Sequence, residues 1–118
     1  MRHLCGNRKL GRTTAHRLAL FKNLSIALIE REAIETTVPK AKELRGYFDK
    51  LVTLAKKGDT HSQRAIFAKL QHKESVKKLV VELAPKLTTR TSGYTSLVKT
   101  GQRKGDAAFM AKLSIIQD

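Results

Sequence analysis

The sequence predicts an α+β fold of two layers, in the order helix, strand, three helices, two strands, with the helices packed on one face of a small sheet. Three observations point there. Apolar residues recur at three- and four-residue steps in four separate segments, a short β-branched cluster lies between the first two, and a strictly alternating stretch closes the chain. At 118 residues with 41% hydrophobic composition, the chain is sized for a single modest core. Residues 12–118 are expected to form that one domain, preceded by an extended basic arm over residues 1–11.

The arm, MRHLCGNRKLG, has two glycines and neither helical nor alternating apolar spacing, so it is expected to order on a partner. From Thr13 or Thr14, a suitable N-cap, Leu20, Leu24, Ala27 and Leu28 recur at helical spacing, widened by Leu18 and Phe21. This predicts a first helix to about Arg31. Ala33 to Val38 contains Ile34, Thr36, Thr37 and Val38, which favours a short strand. Pro39 suits the first turn of a second helix, along which Ala41, Leu44, Phe48, Leu51 and Ala55 form an apolar stripe. Gly58 is placed to end it, after Lys56 and Lys57 complement the helix dipole.

Thr60 and Gln63 have the spacing of a capping box before a shorter helix carrying Ala65, Ile66, Phe67 and Leu70. Another is expected from near Ser75, with Val76, Leu79, Val80 and Leu83 inward and Pro85 as its stop. The hydroxyl-rich LTTRTSG then reads as a loop. Tyr94 to Thr100 and Phe109 to Ile116 read as strands; in the second, Phe109, Ala111, Leu113 and Ile115 alternate with Met110, Lys112 and Ser114. The intervening GQRKGD predicts a hairpin that presents Arg103 and Lys104 at its tip.

Charge carries the functional reading. Lys and Arg number 24 against 10 Asp and Glu, a net charge of +14 that exceeds what solubility asks of a small domain and points to a polyanionic partner. Nucleic acid fits best, ahead of an acidic membrane surface or an acidic protein. No acid precedes Glu30 and none lies between Glu82 and Asp106. The first stretch contains Arg2, Arg8, Lys9, Arg12, Arg17 and Lys22; the second contains Lys86, Arg90, Lys99, Arg103 and Lys104. Ordinary solvated faces mix signs, so both stretches are candidate phosphate-binding surfaces.

Catalysis needs a nucleophile with its base, a carboxylate pair or a metal cluster, and no such constellation is evident. His3, Cys5 and His16 match no zinc spacing, and no phosphate-binding glycine loop with a lysine occurs. We therefore expect no enzyme activity, catalytic residue, metal, cofactor or small-molecule substrate. Cys5 is the only cysteine, which excludes an intramolecular disulfide and fits a cytoplasmic setting. The longest apolar runs are too short for a membrane span. The acid-free N-terminus superficially imitates a mitochondrial transit peptide but leads directly into a patterned helix. With the phenylalanines assigned to apolar stripes, only Tyr47 and Tyr94 remain for base stacking, so phosphate contact and shape are expected to dominate recognition.

Several spaced motifs then converge. MRH at 1–3, RKLGRTTAHR at 8–17, IETTVPKAKELR at 34–45, LAKKGD at 54–59, GYT at 93–95 and KGDAAFMA at 104–111 closely resemble the bacterial large-subunit ribosomal protein seventeen family, over essentially the whole chain. The resemblance implies a mixed three-stranded sheet and a structural role on large-subunit ribosomal RNA, near the nascent-chain tunnel exit and beside other large-subunit ribosomal proteins. It implies RNA contacts at Arg2, His3, Arg8, Lys9, Arg12, His16 and Arg17. It implies others from Arg90 through Tyr94 and Thr95 to Arg103 and Lys104; Lys22 and Lys99 join these sets by charge. The chain departs from the family pattern at Leu4 and Cys5, where Arg-Lys is usual, at Thr91 and Ser92 in place of Pro-Gly, at Ser96, where a basic residue is common, and at Phe109 in place of proline. The alternative reading is a free-standing nucleic-acid-binding regulator or nucleoid protein.

Overall fold

The computed structural model describes residues 14–116. The expected arm, its boundary with the domain, and Arg2, His3, Arg8, Lys9 and Arg12 lie outside the described residues.

Helix α1 (Thr14–Arg31) buries Phe21, Ser25, Leu28 and Ile29, spaced four, three and one apart along a single face. That face is rotated from the expected stripe, and Leu18 is 55% exposed. Glu32 ends the helix in the left-handed region, at φ 62°. Its N–H still donates to the Leu28 carbonyl at 2.7 Å, while its own carbonyl accepts from Ile115 N–H at 2.9 Å, which ties the helix end to the sheet. Strand β1 (Ala33–Thr37) follows at once.

Helix α2 (Val38–Lys57) is the centre of the molecule. Pro39 lies in its first turn, Gly58 caps it at φ 71°, and the whole expected stripe of Ala41, Leu44, Phe48, Leu51 and Ala55 is buried, with Val38 and Val52 beside it. The next helix, α3 (Thr60–Leu70), is capped by Asp59 rather than by Thr60: the Asp59 carboxylate accepts from Ser62 N–H at 2.7 Å, which shifts the cap one residue upstream. Hydrogen bonds from Ser62 hold this carboxyl below its usual pKa.

Helix α4 (Lys73–Lys78) begins at His72, whose Nδ1 accepts from Ser75 N–H at 3.2 Å and meets the Ser75 hydroxyl at 2.7 Å. Pro85 does not stop this segment as expected. The chain widens into a π-helical stretch (Leu79–Leu83), in which Ala84 N–H reaches back five residues to the Leu79 carbonyl, and continues as α5 (Ala84–Lys86). Widening the ladder just before the proline accommodates a ring that would collide with the preceding turn of a regular α-helix.

Strands β2 (Thr95–Gln102) and β3 (Phe109–Ile115) complete a sheet of order β1-β3-β2. Both pairings are antiparallel, so the sheet is not mixed. The cause is which strand lies in the middle. β1 runs parallel to β2, but β3 separates them, and β3 is the strand whose Ala111, Leu113 and Ile115 are buried. Those side chains share a face with Leu97, opposite Leu113, and α2 covers that face. Phe48, Leu44, Leu51, Leu28, Ile29, Ile66, Leu79 and Leu113 form the main core between sheet and helices. Val38, Ala41 and Ala111 form a smaller cluster where α2 starts.

Candidate nucleic-acid interface

The first cationic surface runs along α1 as far as Glu30. Glu30 is its first acid, so about 24 Å of helix carries only positive and neutral side chains. His16 is exposed, and Arg17 and Lys22 are half-buried. Lys22 lines a groove of about 550 Å³ with Leu18, Tyr47 and Lys69, so α3 contributes a cation that linear charge patterning missed. Tyr47 is half-buried there and packs on Phe21, with ring centroids 5.6 Å apart and planes tilted by 31°. Burial raises its pKa.

The second surface divides into a pinned loop and an exposed hairpin. Tyr94 is only 1% exposed, and its ring belongs to the core rather than to a stacking platform. Its hydroxyl accepts from Lys56 Nζ at 3.2 Å and donates to the Thr91 carbonyl at 3.0 Å. Lys56 Nζ also lies 5.1 Å from the ring centroid and donates to the Arg90 carbonyl. Beneath, burial raises the pKa of Asp49, opposed by a hydrogen bond from Tyr94 N–H and by the Arg45 charge. Thr95 is buried beside them. Tyr94 thus shapes the loop carrying Arg90, Thr95 opens β2 opposite Ile115, and neither side chain is exposed. The sequence marked Lys56 only as a helix-dipole partner, because nothing local reveals a contact to residues 34 and 38 positions away.

Beyond this, β2 rises into solvent. Lys99 is exposed and lines an apolar groove of about 510 Å³ with Val38, Pro39 and Phe109. Phe109, expected in the core, is 63% exposed because it lies at the hairpin end of β3, where the buried run of alternating residues has not yet begun. A bulge between Lys99 and Gly101, with Gly101 at φ 129°, bends the strand toward the tip. Arg103 and Lys104 stand exposed there, as expected. Arg103, however, is held by Asp106 through Nε at 3.1 Å and Nη2 at 2.6 Å. Asp106 also accepts from Ala108 N–H at 3.2 Å, and these bonds, led by the Arg103 one, bring its carboxyl down to about 2. The acid bounding the second stretch therefore neutralises one of its cations and organises the turn.

No helix among the described residues is long and apolar enough to cross a membrane. Together, fold and surface define a class: a small, strongly basic α+β scaffold with cations concentrated at one helix end and one hairpin. The family model for ribosomal protein L17 matches residues 20–116. The chain is 58% identical to the large ribosomal subunit protein bL17 of Campylobacter concisus over the full length of both. It is 60% identical to that of Aliarcobacter butzleri and 59% identical to that of a Sulfurovum species, each over 98% of this chain and all of the relative. The chain belongs to the ribosomal protein L17 family.

Proposed function

We propose that the chain is a structural constituent of the large ribosomal subunit that stabilises folded ribosomal RNA by phosphate contact, near the nascent-chain tunnel exit and beside other large-subunit proteins. One observation carries the reading: a net charge of +14 has its acid-free stretches on α1 and on the β2–β3 hairpin, two elements that a folded RNA can engage separately. The proposed contacts are Arg2, His3, Arg8, Lys9, Arg12, His16, Arg17 and Lys22 on the first surface, and Arg90, Lys99, Arg103 and Lys104 on the second. Tyr94 serves by holding the Arg90 loop in place, and Thr95 by anchoring the start of β2. Such a role requires charge and shape but no turnover, and it places the protein on cytoplasmic ribosomes.

Sedimentation tests this directly. The protein is expected to travel with large subunits at moderate salt, and a cross-linker on Lys104 should join it to RNA at the tunnel exit. Recovery mainly free or on DNA would reject the ribosomal role in favour of a regulator, and cross-links elsewhere would reject the location.

The Arg103–Asp106 pair gives a finer expectation. Asp106→Asn releases the guanidinium, so the log–log salt dependence of RNA binding should steepen by about 0.7 to 0.9, the contribution of one additional phosphate contact. An unchanged slope in equilibrium titrations would show that Asp106 does not keep Arg103 from phosphate, and an unchanged slope on Arg103→Gln would exclude Arg103 from phosphate contact.

A further inference from the structure

Helical periodicity assigns Phe67 to the core, yet it is 41% exposed on α3. It lines a groove of about 410 Å³ between α3 and α4, with Val80 from the π-helical stretch on the apolar side. Arg64 reaches this groove from α3, and Lys73 and Lys77 from α4, where one helical turn sets them about 6 Å apart along the axis. Among the described residues no carboxylate lines it, and Gln63 supplies an amide at its edge. Three cations from two elements thus share this groove with a partly exposed aromatic ring, in a region where the sequence shows no acid-free stretch, and Glu74 and Glu82 line only the adjoining groove beyond Lys77.

We propose that this groove binds a nucleotide of single-stranded RNA, with an unpaired base lying on the Phe67 ring and its flanking phosphates on Arg64, Lys73 and Lys77. A ring in a positively charged channel is the combination that holds single strands, because every base offers a face to stack and every linkage a charge. Charge complementarity selects RNA over a protein segment, which would have to be both apolar and densely acidic. The proposal rests on the RNA-binding reading and adds to it a site that engages a base as well as phosphates.

The chain contains no tryptophan, so Phe67→Trp introduces a single indole reporter into the full-length protein. Titration with a short oligoadenylate should quench its emission. Adding Arg64→Gln, Lys73→Gln and Lys77→Gln should lower the salt slope of that quenching by about two. Phe67→Leu, which keeps an apolar side chain at a partly exposed position, should weaken oligoadenylate binding by roughly fivefold or more while leaving the helical circular dichroism unchanged. Anisotropy of a labelled oligoadenylate reads binding independently of the indole. Binding without quenching, or indifferent to the three glutamines, would overturn the groove while leaving the phosphate surfaces intact. Absence of oligoadenylate binding would overturn the groove, absence of binding to large-subunit ribosomal RNA in the same assay would overturn the RNA-binding reading as well, and quenching by an acidic apolar peptide but not by oligoadenylate would give the groove to a protein.

Discussion

Replacing Arg8, Lys9, Arg12 and Arg17 together by glutamine is expected to lower the log–log salt slope of ribosomal RNA binding by roughly three, since each phosphate contact contributes about 0.7 to 0.9. Between about 50 and 200 mM salt, that difference amounts to roughly 60-fold in how much affinity the parent loses relative to the variant. The size follows from counterion release: each cation on a phosphate frees a condensed ion whose dilution favours binding at low salt. These four residues lie in a stretch with no acid before Glu30, so no neighbouring carboxylate in sequence competes for them. Equilibrium titration at several salt concentrations provides the measurement, and an unchanged slope would remove this segment from the interface.

The largest effect on stability is expected from Phe48→Ala. Phe48 is fully buried in α2 at the junction of sheet and helices, and removing its ring should cost about 3 to 5 kcal/mol through lost burial and the cavity left behind. A domain of this size has about 5 to 15 kcal/mol in total, so much of the stability would go. Urea unfolding followed by circular dichroism should show a midpoint about 2 M lower, with little change in slope. Phe67→Ala should cost only a fraction of this, because its ring is already partly in water. Equal losses at the two positions would contradict the burial difference between them.

That pair of phenylalanines shows how far a linear reading reaches. Both sit at helical spacing with other apolar residues, yet α2 packs against the sheet, α1, α3 and the π-helical stretch, whereas α3 turns only part of its circumference inward. Periodicity locates a face but not its width, which depends on how many elements surround the helix. The same holds for Leu18 and Phe109, each placed correctly on its element but beyond the area its neighbours cover. The π-helical stretch before Pro85 was illegible for a different reason: proline forbids the regular ladder but does not specify whether the chain stops or widens.

The candidate site divides along similar lines. Where cations are concentrated is legible, because charge is a property of the chain: the acid-free stretches alone mark α1 and the hairpin. Which cations are free is not. Asp106 claims Arg103, Lys56 claims the Arg90 loop, and Tyr94 turns from a stacking candidate into the pin that holds that loop.

By itself, then, the sequence determined the α+β order, the α2 stripe and its Gly58 cap, and the two basic stretches, all set by local periodicity, backbone preference or net charge. The tertiary structure decided the antiparallel pairing around β3, the burial of Tyr94 and Thr95, and the grooves that join Lys22 to Lys69 and Phe67 to Lys73 and Lys77. Each of these depends on residues far apart in the chain, and the free energy that selects them arises only when separate elements cover one another and exclude water.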